Sequence, residues 1–533
     1  MPNLPYPVLP MPSSADPAVL FAWSERLVTE STRILSSIQF YLGTAPGEVV
    51  NVLEFGAKGD GVTDDSPAIQ AAIDSIDTRG ALYFPARLYA LKTALTLPVR
   101  GEIEITLLGP GGRDLARLTA LASFSGSALL DVGDNATLVE RWAVYGLSFR
   151  GDGSQALAGI RGRRTAQWDI VHCYFSALEY GVQVSGISQV GLIAQCVIGS
   201  NNKVGIDLDL VSSTRILGND IEEGRAGAGA NAIAINAARC GARMVIGLNR
   251  INDWEGIGIR TTGFAGANEP GVIVGNQIDA TGGGIACAED GGMVVTGNHV
   301  TNMVSDQPGV YVTAPDVTVV GNTLATGGGR GIHTTAENGT IVGNSVRNFV
   351  VGIDLAAATH QVVAGNRVYD DRGGSAAMTH GIYERLAADH NRIVGNHVTD
   401  ALTANYTIIG ANTRWLSDDQ LRYETAVQSH VTPTYGTTVA INALLGETFV
   451  IVVTNATAFT ISTPTNGLAG QRVTVTVKNT IGGGGGVGAI TWGTGYKLAA
   501  WTSPADTFSR SITFEYDGST WVEITRTTAD VPN

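Results

Sequence analysis

Glu223 and Asp253 each stand four residues after an asparagine, Asn219 and Asn249, that belongs to a recurring series. One position earlier in the same frame come Glu222, Asn252 and Asp279, and Glu255 follows just beyond Trp254. If the frame brings these positions back to one face, Glu223 and Asp253 are neighbours. Two carboxylates that close cannot both ionise freely, so one is expected to hold a proton near neutral pH, and the pair could then divide acid and base roles. A second set competes with it. Two residues after a recurring glycine stand Gln183, Asp207, Ala234, Arg260, Ala286, Tyr311, His333, Asp354 and Tyr383. Tyr311, His333 and Asp354 would then be consecutive: a phenol, a base and an orienting acid, the parts that remove a proton beside a carboxylate. Trp254 offers a ring for stacking, and Arg225 or Arg260 offers a cation for an anionic group. The plainer alternatives are a solvated acidic patch for the first set and a hydrated or ligand-binding stripe for the second.

Such columns exist only if the backbone returns at a fixed pitch, and the asparagines predict that it does. Asn219, Asn249, Asn276, Asn298, Asn322, Asn344, Asn366 and Asn396 each close an apolar phrase, at intervals of 22 residues stretched to 24, 27 or 30. Glycine directly precedes all of them except Asn249, where the order is Gly247-Leu248. A second phrase keeps step: Gly205-Ile206-Asp207-Leu208, Gly284-Ile285, Gly309-Val310, Gly331-Ile332, Gly352-Ile353-Asp354-Leu355 and Gly381-Ile382. A unit this short cannot bury its own apolar face, so each copy must be covered by the next. Leucine-rich repeats share the period, but Gly282 to Gly284 and Gly327 to Gly329 would break their helical segment. The expected fold is therefore all-β, a right-handed parallel β-helix. Its asparagines should stack at a bend, each amide bonded to the next, with Cys173 and Cys196 continuing the column upstream. The longest early intervals put loops at 224–230 and 262–269, beside the acidic positions, where loops of a solenoid border its binding face.

Composition sets outer limits. Glycine at 68 residues and charged residues at 15% suit a chain of turns and short core strands. A net charge of −14 argues against nucleic acid as a partner. No apolar run is long enough to span a membrane, and 1–14 lacks the basic start and apolar core of a secretory signal. The cysteines are expected to be buried thiols, since no Cys-x-x-Cys or Cys/His spacing suggests a metal site, and no cofactor is expected. The stretch 1–48 is expected to be a proline-rich arm followed by a helix at 16–42, with Leu20, Leu27, Ile34 and Tyr41 forming a heptad seam that calls for partner helices.

Asn51-Val52-Leu53-Glu54-Phe55-Gly56-Ala57-Lys58-Gly59-Asp60-Gly61-Val62-Thr63-Asp64-Asp65-Ser66-Pro67 resembles the opening of the pectate-lyase-like β-helix superfamily, and especially of bacteriophage tailspikes and depolymerases. Read physically, it is a strand, a glycine-rich turn and a capping helix begun by Ser66 with Pro67 in its first turn; turn and cap duty accounts for Asp60, Asp64 and Asp65. Ala81-Leu82-Tyr83-Phe84-Pro85 resembles the next family strand, with Arg87 where glycine is usual. The resemblance covers about 50 to 400 and implies a fold and carbohydrate chemistry, with a bacterial surface polysaccharide as substrate. It also implies a homotrimer attached to the virion tail or baseplate through its N-terminus. Polygalacturonase-type signatures are incomplete, because Asp370-Asp371, His380-Gly381 and Arg392-Ile393 occur without an Asn-Thr-Asp and with Val394 in place of lysine. The arginine-rich signature of pectate lyases is missing too.

The repeat is expected to occupy 49–400, a transition 401–430 and a β-sandwich 431–533, with Asp517-Gly518 as a hairpin turn and 482–486 as a flexible loop. Trp492, Tyr496, Trp501 and Trp521 are there as core or as sugar-stacking surface. The expected function is that of a tailspike depolymerase hydrolysing glycan through the paired carboxylates. The alternatives are a lyase using the Tyr311, His333 and Asp354 column, and a non-catalytic receptor-binding fibre.

Overall fold

The computed structural model describes residues 48–99, 104–153, 157–199, 202–224, 232–240, 243–263, 271–288, 292–303, 306–372, 377–417, 430–443 and 445–533. The heptad segment at 16–42 and Arg225 lie outside them. The chain divides into two compact units after Leu416.

The first unit is a right-handed parallel β-helix. Each coil contributes three short strands, and successive coils pair in parallel on each of three faces. On the first face, Arg330–Thr334 pairs with Val351–Leu355 and that with His380–Glu384. On the second, Thr318–Val320 pairs with Thr340–Val342 and that with Val362–Ala364. On the third, Thr323–Gly327 pairs with Ser345–Arg347 and that with Arg367–Tyr369. The alternation of each strand sends Ile206, Ile235, Ile259, Ile285, Val310, Ile332, Ile353 and Ile382 inward at matching register, so the core is a continuous stack of aliphatic side chains.

The bend between second and third faces is built as the repeat requires. Asn344 Nδ2 donates to Asn366 Oδ1 and to Val319 O, both at 2.9 Å, while Asn344 Oδ1 accepts from Asn322 Nδ2 at 3.0 Å and from Asn322 N at 2.9 Å. The same bonds link the asparagine column from Asn219 to Asn396. Cys196 continues it: its Sγ faces the carbonyls of Ala194 and Ile170, the places an asparagine amide takes elsewhere, and Asn219 Oδ1 accepts from its N–H at 3.0 Å. Burial pushes the Cys240 thiol up to about 12 and that of Cys287 to about 11, as inert core groups. Asn344→Ala should therefore cost about 1–3 kcal/mol, because backbone groups in adjacent coils lose buried partners. A urea denaturation curve equal to that of the parent chain would refute the stacked bend.

The open end is closed by the helix Ser66–Asp74, which buries Ile69, Ala72 and Ile73 against Val52 and Tyr89. The residue that caps it differs from expectation. Asp65, not Ser66, is the N-cap, and its carboxylate turns back to accept the N–H groups of Lys58 and Gly59. Ser66 Oγ instead donates to Asp64 and accepts from Lys92 N. Asp60 accepts three hydrogen bonds from Val62 and Thr63, which lower its carboxyl to about 2. All three aspartates thus serve the turn.

The second unit packs two sheets, but not as an all-antiparallel sandwich. His430–Val431, Thr448–Val453 and Arg472–Asn479 pair in parallel in one sheet; Thr438–Val439, Phe459–Ile461 and Ile490–Trp492 do so in the other. The chain alternates between the two, so the unit starts as a two-sided coil and turns antiparallel only at Phe508–Tyr516 and Trp521–Arg526. Asp517 closes that hairpin, accepting from Ser519 and Thr520. Trp492 and Tyr496 pack edge-on at 5.1 Å, Trp492 and Trp501 at 5.5 Å, and Trp521 is fully buried, so these rings form core. The glycine-rich loop is pinned, because Gly482 N and Gly484 N both donate to Asp506 at 2.8 Å.

Candidate functional site

Coil alignment places the first acidic set at one corner. Glu222 stands beside Asn252 and Asn252 beside Asp279 on the third face. Glu223 and Asp253 follow at the bend with φ of 53° and 52°, as do Asn302 and Asn348 at 51° and 61°. This left-handed position explains much of the column's composition, since Asn and Asp tolerate it better than most residues. Arg250 Nη2 lies 3.1 Å from Glu222 Oε2, and Asp279 Oδ1 accepts from Thr301 Oγ1 at 2.7 Å and Asn302 Nδ2 at 2.8 Å. Glu223, Asp253 and Glu255 are exposed. Trp254 is not the stacking platform anticipated. It is completely buried, its ring packing under Gly224, because strand alternation turns it inward between exposed Asp253 and Glu255.

The second column is real and longer than the sequence suggested. Register runs through Asp131, Arg161, Gln183, Asp207, Asn236, Arg260, Ala286, Tyr311, His333, Asp354 and Tyr383 on the first face. Asn236 takes the place assigned to Ala234, which stands instead in the glycine column, so the alignment had slipped by two residues there. Hydrogen bonds tie the upper members together. Gln183 and Asn236 donate to the two oxygens of Asp207 at 3.1 and 2.7 Å, and Arg260 Nε donates to Asn236 Oδ1 at 2.9 Å.

Below Ala286 the column becomes chemically dense. The Tyr311 and His333 rings stack at 5.2 Å, and His333 Nδ1 donates to Asp354 Oδ2 at 2.9 Å. Asp354 has no exposed surface. Arg385 Nε donates to its Oδ1 at 2.6 Å, and Arg330 Nε lies 2.5 Å from Oδ2 as an ion pair whose N–H is not aimed along a hydrogen bond. Burial alone would raise the Asp354 carboxyl, but the bonds from His333 and Arg385 hold it below the usual carboxylate range. Because a carboxylate can only accept, Nδ1 carries the hydrogen of this bond, and Nε2 is the ring nitrogen not tied to Asp354. Arg385 also lies over the Tyr383 ring at 5.0 Å, and Tyr383 stacks on His380 at 4.4 Å. Arg330 and Arg385 escaped the sequence analysis. Arg330 stands just before the coil glycine and Arg385 just after the strand, and a column rule counted from the glycine sees neither. Among the described residues no three His, Cys, Asp or Glu side chains assemble as a metal set.

Three family models match in succession. They are Rhamnogalacturonase A/epimerase, pectate lyase-like, over 49–155; Right handed beta helix region over 158–324; and Periplasmic copper-binding protein (NosD) over 247–424. The chain carries a pectate-lyase-like right-handed β-helix. Among solved structures, the tailspike protein of the E. coli bacteriophage HK620, as a double mutant, is similar at TM-score 0.53 and 13% identity, over 70% of this chain and 79% of that one. The A-module of the Azotobacter vinelandii mannuronan C-5 epimerase AlgE4 matches at TM-score 0.49 and 18% identity, over 69% of this chain and all of that one. Tailspike protein 3 of bacteriophage CBA120 matches at 0.49 and 16%, over 69% and 61%. No curated protein sequence matches. At 13% identity the likeness to the HK620 tailspike is one of fold.

Proposed function

We propose that this protein is a bacteriophage tailspike that binds and depolymerises a bacterial surface polysaccharide, and that the Tyr311, His333 and Asp354 column performs the cleavage by proton transfer beside a uronate carboxylate. The opening motif and the β-helix of tailspike type support the first part. The observation that carries the second is the hydrogen bond from His333 Nδ1 to a carboxylate that has no exposure and two arginines against it. That arrangement suits a general base. In the proposed step His333 Nε2 takes the proton from the carbon bearing the carboxylate, the glycosidic C–O bond in the β position breaks, and the leaving oxygen takes a proton from the Tyr311 phenol. The products are an unsaturated uronate and a new chain end. Ala286 leaves a gap of roughly 10 Å, two strand spacings, between Arg260 and Tyr311.

A second reading, hydrolysis by Glu223 and Asp253, is favoured by their adjacency on neighbouring coils, both exposed. At one strand spacing of roughly 4.8 Å their carboxyls could reach the separation of about 5–5.5 Å used by retaining enzymes. A panel of capsular and O-antigen polysaccharides, assayed for reducing ends and for absorbance of unsaturated uronates, separates the readings. Both signals should rise together, and Glu223→Gln and Asp253→Asn should each keep activity within about threefold. Reducing ends without absorbance, with either variant dead, would transfer the site to the acidic corner. No cleavage of any glycan, with binding retained, would make the protein a receptor-binding fibre.

The same proposal includes a homotrimer, with the heptad seam at 16–42 on the axis. Light scattering that returned a monomer at micromolar concentration would remove this part.

A further inference from the structure

The repeat supplies its own control for an unassigned feature at the last coils of the second face. The position that opens each strand there is occupied in succession by Val294, Thr318, Thr340 and Val362, all uncharged, and then by Arg392 and, in the following coil, Arg414. The left-handed corner just before it carries Asp316 and Asn338, and then His360 and His390. The two changes coincide on the coil of His390 and Arg392, with His360 one coil before it and Arg414 one coil after. The result is a groove of about 570 Å³ lined by His360, His390, Arg392, Asn412, Thr413 and Arg414. That is within the usual range of small-ligand sites, about 300–1,000 Å³.

Charge gives the groove its character. Like charges one coil apart repel, and in a chain of net charge −14 carboxylate partners are plentiful, yet no hydrogen bond or ion pair engages either guanidinium among the described residues. The carboxylate nearby, Asp389, accepts from Asn412 N and Asn412 Nδ2, both at 2.7 Å, and lies 3.4 Å from His390 Nδ1. It therefore braces the Asn412 loop and the imidazole. The His360 and His390 rings stack at 5.1 Å, forming an exposed flat wall beside the two arginines.

We propose that this groove is an anionic-saccharide site, separate from the Tyr311 column, in which Arg392 and Arg414 engage the acidic groups of consecutive sugars and the imidazole wall takes a sugar face. The match is one of spacing: arginines one coil apart suit charges repeated along a chain better than one small anion. The arginine pair carries the anion part; the saccharide part rests on the tailspike reading.

The test uses the full chain, with His333→Ala to prevent turnover, and titrates four probes calorimetrically: oligogalacturonate, the same oligomer after carboxyl reduction, galacturonate monomer and inorganic phosphate. The acidic oligomer should bind at least tenfold tighter than the other three. Its affinity should fall with added salt and drop at least tenfold in Arg392→Gln/Arg414→Gln. Because both arginines are exposed, the variant is expected to fold, and an unchanged melting temperature checks this; His390→Ala, also exposed, gives an independent loss of affinity. Equal binding in the double variant, or phosphate binding as tightly as the oligomer, overturns the proposal. Absence of any glycan cleavage by the parent chain would sink the catalytic reading and leave this binding result standing.

Discussion

His333→Ala should lower depolymerisation at least about a hundredfold, the lower end for removal of a general base, with fold and glycan binding retained. The side chain is half-buried on the outer face, so its loss opens no core cavity. Asp354→Asn is the sharper companion. It keeps the size of the side chain but removes the charge that fixes Nδ1–H, and it leaves Arg330 and Arg385 facing a neutral amide. Activity should fall as far as in His333→Ala, and stability should fall as well, by about 1–3 kcal/mol, because both guanidiniums are about a third exposed and can turn to water. The pH dependence has a definite sign. The folded carboxyl of Asp354 lies below its unfolded value of about 3.9, so its contribution is complete above that value and is lost as pH falls through the folded one. Denaturant melts of the parent chain at pH 7 and pH 3 should differ by more than those of Asp354→Asn. Parallel curves would show that the carboxylate carries no such linkage, and full turnover in His333→Ala would end the catalytic reading.

Gly284→Ala should destabilise the β-helix more than a typical surface change, by about 1–3 kcal/mol and upward, as overpacking does where the obstacle cannot move. A Cβ at Gly284 would stand 2.0 Å from Gly309 O and 2.7 Å from Val300 Cγ1. The first obstacle is backbone, held in a parallel ladder. Gly309, Gly331, Gly352 and Gly381 face the carbonyl of the next coil in the same way, at 2.5–2.9 Å, whereas Ala234 occupies this column in one coil, so a methyl is not excluded everywhere. Gly343→Ala provides the contrast. It meets nothing within 4 Å, but its φ of 65° costs an alanine about 1–2 kcal/mol. Chemical denaturation should rank Gly284→Ala below Gly343→Ala; the reverse order would mean that close coil approach is not what the glycine column protects.

The two kinds of column were legible to different degrees. Asparagine bonding and inward aliphatic stacking follow from a repeat of nearly constant length, because each copy sees the same neighbours and local register fixes every contact. The sequence alone was therefore enough for the β-helix, its asparagine bend, the continuation through Cys196, and the adjacency of Tyr311, His333 and Asp354. It misplaced Asn236, where an interval stretched to 30 residues breaks the count. It offered Trp254 as a surface ring, since composition near acids does not say which side of a strand a residue faces, and it made Ser66 a cap that the buried Asp65 provides. Arg330 and Arg385 converge on Asp354 only in three dimensions, from outside the strand position that the repeat defines. The cationic groove is a further case. Its four charged and imidazole side chains are spread over 55 positions, and only the pitch of the β-helix brings two corners and two strand starts onto neighbouring coils. Periodicity determines what each residue pairs with along the axis; which side chains meet across a corner is decided by the closed coil.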